Sequence, residues 1–295
     1  MATEWEGKSK GTVLGYKLYI FFLNTFGIST AYFILRFVVV YYFLFSFKSS
    51  RSIFYYFNRR LKYAQLKSIA AIYQSYYMLG KVLTDRVAIS TKFRDVYHYT
   101  HDGIEHIDEL LKQNKGGILI SGHIGNFEVS HYFLENRYSI SNIFMVTTHA
   151  EHENIKEYMD GIVSKSSMQF IVVREDMSHI FEIHNALAQG GLVVFTGDRY
   201  LPGTKTLKQE FLGAEAEFPL GPYILATRLK VPVLFVYVLK GPKKEYHLYA
   251  KQAVAKARDP QALLKEFTQS MEWVLEKYPY QWFNYFDFWK DSLKK

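Results

Sequence analysis

Apolar residues are concentrated in one long stretch near the amino terminus. Between Leu18 and Phe47 the only charged residue is Arg36. A helix over this stretch would extend about 45 Å, whereas the hydrocarbon core of a bilayer is about 30 Å thick. The sequence Gly27-Ile-Ser-Thr30 can break it into two shorter helices. We interpret it as a retained membrane-associated segment that either spans the bilayer or lies in its surface, with a buried helical hairpin as the alternative.

Basic residues flank this apolar stretch on both sides. Three lysines precede it, and a larger group follows it: Lys48, Arg51, Arg59, Arg60 and Lys62. The excess after the stretch predicts that the remainder of the chain lies on the cytoplasmic side of a membrane. The whole chain carries a formal net charge of +8, and 18% of its residues are aromatic. Both features favour lipid surfaces and anionic partners.

Residues 50–90 are predicted to be helical, and from about residue 94 the pattern changes to alternating strands and helices. The predicted strands are Val96–Thr100, Gly117–Ser121, Asn142–Thr147, Phe170–Val173, Leu192–Thr196 and Val231–Leu239. The predicted helices lie near 102–114, 126–136, 151–165, 177–189, 219–229 and 260–277. This alternation predicts an α/β fold with a mostly parallel central sheet flanked by helices. We place the domain boundary near residue 90, between a helical region 1–90 and an α/β domain 91–295.

A base and an acid follow the second predicted strand. His123 lies at the carboxyl end of Gly117–Ser121, and Glu128 comes five residues later. Gly125 and Asn126 suit the turn that would start the next helix. Glu128 would then lie about one helical turn beyond His123, where a carboxylate can orient an imidazole that acts as a general base. The alternative is a capped helix with an exposed histidine and glutamate.

A second polar pair, Asp198-Arg199, also follows a predicted strand. An arginine at the carboxyl end of a strand can bind a phosphate or a carboxylate, and the aspartate can orient it. A salt bridge that only braces the loop is the alternative.

Several other classes of protein are disfavoured by the sequence. The chain has no cysteine, which excludes cysteine-ligated metals and a cysteine acyl-enzyme. Two histidine pairs, His149-Ala-Glu-His152 and the pair formed by His179 and His184, lack the spacing of a zinc protease motif. We find no serine-hydrolase elbow, no Walker or dinucleotide glycine pattern, and no nucleic-acid-binding motif. We therefore expect no metal, no cofactor and no nucleic-acid partner.

The block GGILISGHIGNFE, residues 116–128, resembles a known motif. It is similar to the His-x4-Asp/Glu motif of the lysophospholipid acyltransferase superfamily, and its flanks are most similar to the late (lauroyl/myristoyl) acyltransferases of lipid A biosynthesis. Three further blocks follow in that family's order: Thr196-Gly-Asp-Arg-Tyr-Leu-Pro-Gly203, Phe211-Leu-Gly213 and Phe218-Pro-Leu-Gly-Pro222. The resemblance covers nearly the whole chain.

The resemblance implies an enzyme of the bacterial inner membrane whose active site faces the cytoplasm. It would transfer a fatty acyl chain from acyl carrier protein, or from coenzyme A, to a hydroxyl of a membrane glycolipid such as a lipid A precursor. His123 and Glu128 would be catalytic. The expected substrate contacts are Asp198, Arg199, Arg174, Asn126 and Gly125, where Arg174 matches a basic residue that the family carries ahead of a helix.

Two departures from the family pattern concern the acceptor. The family commonly has arginine after the strand that here ends Met145-Val-Thr-Thr148, and a basic run where this chain has Trp282-Phe-Asn-Tyr-Phe286. A phosphorylated disaccharide should need these basic contacts, whereas a less charged lipid would not. The alternative acceptors are therefore a lysophospholipid, an aminolipid or a polyene-type lipid. A non-catalytic membrane-bound scaffold with the same fold is the alternative from another class.

Overall fold

The computed structural model describes residues 13–90, 93–138, 142–148 and 168–290. Nine strands are found in these ranges: β1 His98–Asp102, β2 Gly117–Ser121, β3 Ile143–Thr147, β4 Met168–Val172, β5 Leu192–Thr196, β6 Thr206–Phe211, β7 Ala214–Pro219, β8 Val233–Lys240 and β9 Glu245–Gln252. Seven of them form one sheet in the order β1-β9-β8-β2-β5-β3-β4, and β6 and β7 form a separate antiparallel hairpin. Within the large sheet β8 and β9 pair antiparallel, and the other neighbours pair in parallel. The predicted α/β fold is confirmed.

Helices connect and cover these strands. The α-helices in the described ranges are α1 Val13–Phe45, α2 Phe47–Tyr55, α3 Gln65–Ile89, α4 Ile104–Lys112, α5 Ser130–Tyr138, α6 His179–Ala188, α7 Leu220–Arg228 and α8 Pro260–Lys277. Short π or 3₁₀ turns lie at Tyr56–Arg60, Arg94–Val96, Phe127–Val129 and Pro279–Gln281. The helix predicted at 151–165 and the motif His149–His152 lie outside the described residues.

Local chemistry explains where α8 begins. The side chain of Asp259 accepts a hydrogen bond of 2.9 Å from the amide of Ala262, which satisfies one of the unpaired donors at the helix start. Pro260 occupies the first helical position, where its missing N–H has no cost and its fixed φ suits the helix. The predicted range 260–277 is therefore confirmed at both ends.

Alternate residues of each central strand face opposite sides of the sheet. Ile118 and Ile120 pack into one buried cluster together with Phe267 of α8. Leu119 faces the other side and packs into a second cluster with Ile107 of α4. Both faces of the sheet are therefore buried, as expected for a parallel sheet whose strands are apolar throughout.

The amino-terminal helices contribute to both clusters. Leu23 and Ala31 of α1 join the second cluster, whereas Leu35 and Val39 join the first. Gly27 leaves the helical region with φ 81° and ψ 175°, so the predicted break in the apolar segment is confirmed. Within the described residues one helix, Phe21–Phe45, is long and apolar enough to cross a bilayer by length and composition. The domain boundary near residue 90 stays a prediction.

Candidate active site

The segment that follows β2 exposes two side chains. Between Ser121 and Ser130, His123 and Glu128 are partly exposed and every other residue is buried. The backbone of this segment is fixed on two sides: the amide of Asn126 donates to the carbonyl of Val238 at 2.7 Å, and the amide of Gly125 donates to the carbonyl of Gln281 at 2.8 Å. β8 and the carboxyl-terminal segment therefore hold the loop that carries the histidine.

Gly125 is required by the path of this loop. Its φ is +68°, in the left-handed region that favours glycine, and a Cβ built there would lie 2.2 Å from the carbonyl oxygen of Val238. The residue permits a close approach of two backbones. Its observed role is therefore to shape the loop, and a direct substrate contact by Gly125 stays a prediction.

Sheet topology brings Asp198 next to His123. β2 and β5 are neighbouring parallel strands in which Ser121 pairs with Thr196, so the residues that follow each strand emerge at the same edge of the sheet. Nδ1 of His123 lies 2.7 Å from Oδ1 of Asp198, and the backbone amide of His123 donates to Oδ2 of Asp198 at 2.9 Å. The histidine is thus anchored through both its ring and its backbone.

The Asp198 carboxylate is fully buried and accepts further hydrogen bonds. Nδ2 of Asn284 donates to Oδ2 at 2.9 Å, and Nε1 of Trp282 donates to the same oxygen at 3.3 Å. Burial alone would raise the pKa of Asp198. The charge and hydrogen bonds of His123, together with the charge of Arg199, outweigh burial and lower the pKa to about 2.

This arrangement determines the tautomer of the histidine. An ionised carboxylate only accepts hydrogen bonds, so Nδ1 of His123 must carry the proton that it shares with Asp198. In the neutral ring Nε2 then carries no proton and keeps its lone pair as a basic site. With its side chain 20% exposed, His123 can use Nε2 to accept a proton from a bound hydroxyl.

Glu128 does not occupy the position that the sequence predicted for it. Asp198 holds the place at Nδ1 of His123, and Oε2 of Glu128 forms an ion pair of 2.6 Å with Nη1 of Arg86. The prediction assumed a helical turn directly after His123. Gly125 is instead left-handed, Asn126 has φ −132° and ψ 63°, and helical structure begins only at Phe127. Glu128 stays a predicted catalytic residue, but the orienting carboxylate in the structure is Asp198.

Helix α3 supports this loop through a buried charged network. Asp85 and Lys240 form an ion pair of 2.6 Å in which both side chains are essentially buried. The hydroxyl of Tyr246 donates to Asp85 at 2.7 Å and accepts from Nδ2 of Asn126 at 3.1 Å. Burial lowers the pKa of Lys240, although Asp85 opposes that shift. Asn126 is fully buried, and these contacts show that it supports the loop from within the protein. A substrate contact by Asn126 stays a prediction.

Arg199 is bound to the carboxyl-terminal segment. Its Nε donates to Oδ1 of Asn284 at 2.6 Å, and Nη2 donates to the carbonyl of Phe283 at 2.9 Å. Since Asn284 also donates to Asp198, it links Arg199 to the hydrogen-bonded residues Asp198 and His123. Arg174, by contrast, lies on the surface and pairs with Glu182 at 2.7 Å. The substrate contacts predicted for Arg199 and Arg174 are not tested by these observations.

A cavity of about 200 Å³ lies beyond the carboxyl ends of β3, β4 and β5. Apolar side chains form much of its wall: Val146, Val173, Phe195, Pro219, Pro222 and Leu225. Arg199 and Lys205 supply positive charge, and Thr196 and Arg199 flank Asp198 in the chain. The cavity therefore combines an apolar wall with two cations, one of which, Arg199, is linked to Asp198 through Asn284. This combination suits a chain that carries an anionic or polar end.

Sequence patterns did not indicate three residues of this site. Arg86 lies within a helix and Lys240 at a strand end, and nothing in the neighbouring sequence identifies Glu128 or Asp85 as their respective partners. Asn284 stands alone in the aromatic run 282–286, and a lone amide among aromatic residues is a weak sign of a buried hydrogen-bonding role. Among the described residues no group of three or more metal-ligating side chains is found.

Comparison with known families decides the class of protein. Residues 58–291 match the family model described as bacterial lipid A biosynthesis acyltransferase. The chain belongs to this family. The matched range contains His123, Glu128, Asp198 and the segment around Asn284, so the whole histidine site lies in the part that defines the lipid A acyltransferases. The protein is therefore an acyltransferase of the lipid A biosynthesis type. No curated protein matches the chain significantly.

Proposed function

We propose that this acyltransferase moves a fatty acyl chain from acyl carrier protein to a hydroxyl of a membrane glycolipid such as a lipid A precursor. The observation that carries the proposal is the 2.7 Å contact between His123 and the buried carboxylate of Asp198, within the range matched by the family. The net charge of +8 suits an acidic carrier protein as donor. The excess of basic residues after the apolar segment favours a site on the cytoplasmic face of the inner membrane.

The proposed reaction proceeds by direct transfer. Nε2 of His123 takes the proton of the acceptor hydroxyl. The hydroxyl oxygen attacks the thioester carbonyl carbon at the same time and forms a C–O bond. Asp198 stabilises the imidazolium that results. The tetrahedral intermediate then breaks its C–S bond, and the sulfur leaves with the proton returned by His123. The products are an ester and a free thiol, so protons and electrons balance.

Two neighbouring features are assigned to substrate binding. The apolar wall of the cavity beyond β3–β5 suits the acyl chain, and Arg199 suits an anionic group of the donor or acceptor. Glu128 is held by Arg86 and is partly exposed on the same loop as His123. We keep it in the proposed active site, where its carboxylate would contact the acceptor.

Purified protein in detergent micelles tests the proposal. His123→Ala should reduce thioester consumption and ester formation by about 10²–10⁴-fold, the usual contribution of a general base. His184→Ala is the matched control because His184 is exposed on α6 and contacts none of the groups described above. A His123→Ala enzyme with near wild-type turnover would contradict the mechanism.

The acceptor needs its own experiment. Trp282 and Asn284 occupy the region where the family commonly has a basic run, and here both side chains are buried and donate to Asp198. This observation makes an acceptor with less negative charge, such as an aminolipid or a lysophospholipid, the second candidate. Offering a phosphorylated disaccharide lipid and these alternatives in parallel, with ester products identified by mass spectrometry, separates the candidates.

A further inference from the structure

Helix α1 presents many exposed aromatic side chains. Six of its aromatic side chains are each more than half exposed: Phe21, Phe26, Phe33, Phe37, Tyr41 and Phe45. The last four recur every four residues, so they follow one face of the helix. Apolar side chains grouped in this way differ from the single apolar residues scattered over an ordinary protein surface, and such a group marks an interaction site.

The opposite face of α1 is covered by the protein over most of its length. The hydroxyl of Tyr19 contacts Thr84, and the hydroxyl of Tyr77 donates to the carbonyl of Tyr32 at 3.3 Å. Further along, the rings of Tyr42 and Tyr76 lie 6.3 Å apart. Contacts thus run from residue 19 to residue 42 of α1, and α3 lies antiparallel beside it.

This packing is incompatible with a helix that crosses a bilayer. A crossing α1 would carry α3 and the edge of the α/β core into the hydrocarbon. The ion pair between Asp85 and Lys240 would go with them, because Tyr32 of α1 contacts Asp85 directly. The break at Gly27 also leaves 18 residues after it, 28–45, a length of about 27 Å against about 30 Å of hydrocarbon.

The charge of the same region selects the partner. Residues 13–84 contain nine lysines and arginines and no aspartate or glutamate. Lys48 and Arg51 are exposed just beyond α1, and Lys62 and Lys67 are exposed before and within the start of α3. Basic side chains beside an exposed aromatic face fit anionic phospholipid head groups and the acyl boundary beneath them.

We propose that α1 lies in the plane of a single leaflet of an anionic bilayer, with its aromatic face in the lipid and its other face on the protein. The inference rests on the membrane association included in the proposed function and adds its geometry. Both ends of α1 are then on the same side of the membrane. The active site, which shares the core with α1, is held beside the leaflet that contains its lipid acceptor.

Single-cysteine labelling tests the sidedness, since the natural sequence has no cysteine. One variant carries Ala2→Cys before α1, and the other carries Lys256→Cys on the exposed surface of the α/β domain. In inverted membrane vesicles from expressing cells, a membrane-impermeant maleimide should label both cysteines equally without detergent. Labelling of Ala2→Cys only after detergent would show a spanning helix and overturn the inference, while leaving membrane association and acyl transfer intact.

A vesicle-binding assay tests the aromatic face itself. Phe37→Asp should weaken binding of the purified chain to phosphatidylglycerol vesicles by about tenfold or more, because one aromatic side chain loses its apolar burial. Phe181→Asp is the matched control, since Phe181 is even more exposed but lies on α6. Equal binding of both variants to the vesicles would overturn the inference. The inference would also be overturned if the protein formed a dimer without lipid and Phe37→Asp dissociated that dimer but left vesicle binding unchanged. Failure of the wild-type protein to bind vesicles would refute membrane association as well.

Discussion

Replacing Asp198 by asparagine isolates the role of its charge. The carboxylate uses Oδ2 to accept from the amide of His123, Trp282 and Asn284, and Oδ1 to meet Nδ1 of His123. Asparagine can keep its side-chain oxygen at the position of Oδ2, where it accepts the same three hydrogen bonds. Its NH₂ group then faces Nδ1, which must become an acceptor, so the proton moves to Nε2. The substitution therefore keeps most of the contacts and blocks Nε2, the nitrogen that is proposed to act as the base.

The expected loss follows from that change of tautomer. In Ser-His-Asp enzymes the same replacement lowers turnover by about 10⁴-fold, and general base catalysis contributes about 10²–10⁴-fold. We expect Asp198→Asn to lower kcat by about 10³–10⁴-fold. One charge-assisted hydrogen bond is also lost, which should cost about 1.5–3 kcal/mol of stability. The assay is ester formation at low temperature, with thermal unfolding measured on the same preparation.

A double-mutant cycle decides whether Asp198 acts through His123. If it does, adding Asp198→Asn to His123→Ala should change turnover little, because residues that act as one unit are strongly non-additive. The same cycle with Glu128→Gln in place of Asp198→Asn serves as the comparison, because Glu128 lies in the same loop as His123. Independent, multiplicative losses from Asp198→Asn and His123→Ala would refute the orienting role, as would near wild-type turnover of a well-folded Asp198→Asn enzyme.

Four further outcomes are expected. Arg199→Ala should lower kcat/KM by about 10–150-fold, equivalent to about 1.5–3 kcal/mol for a charge-assisted contact, and Arg199→Lys should not restore kcat/KM. An Arg199→Ala enzyme that unfolds at a lower temperature than wild type yet keeps its kcat/KM would show that Arg199 only stabilises the loop. Lys240→Met should cost about 3–5 kcal/mol in chemical unfolding because it leaves Asp85 buried without its ion pair. Gly221→Leu should shorten the preferred acyl chain in competition assays, since Gly221 lines the cavity and a Cβ there meets open space. The pKa of Asp198, about 2 in the folded protein against 3.8 ordinarily, predicts about 2 kcal/mol of stability that is present above pH 4 and lost as pH falls toward 2. Acid titration of Asp198→Asn should lack that loss.

The elements with strong local signals could be predicted from the sequence. β2 and β5 have the predicted bounds because each is a short apolar run that ends at a polar residue followed by glycine. The break at Gly27 was likewise visible. The hairpin of β6 and β7 and the strand β9 were not predicted. Their residues alternate with lysine, glutamate and histidine, so they lack the continuous apolar run that marked the central strands.

The histidine site was only partly predictable for a topological reason. Local spacing placed His123 and Asp198 each at a strand end, but it could not show that β2 and β5 are neighbours in the sheet. The spacing therefore predicts the orienting carboxylate five residues from His123, whereas the carboxylate that contacts its ring lies 75 residues away. Asn284 and Trp282 are more distant still, and their hydrogen bonds to Asp198 depend on how the carboxyl-terminal segment returns to the loop after β2, where Trp282 pairs with Ile124.

Lipid mass spectrometry of a deletion strain tests the central claim most directly. The strain is complemented with the wild-type gene or with His123→Ala, and protein levels are matched by immunoblot. The account predicts that wild type restores a lipid heavier by one fatty acyl group, which also identifies the acceptor and the chain length, and that His123→Ala restores none. Full restoration of that lipid by His123→Ala would contradict the account.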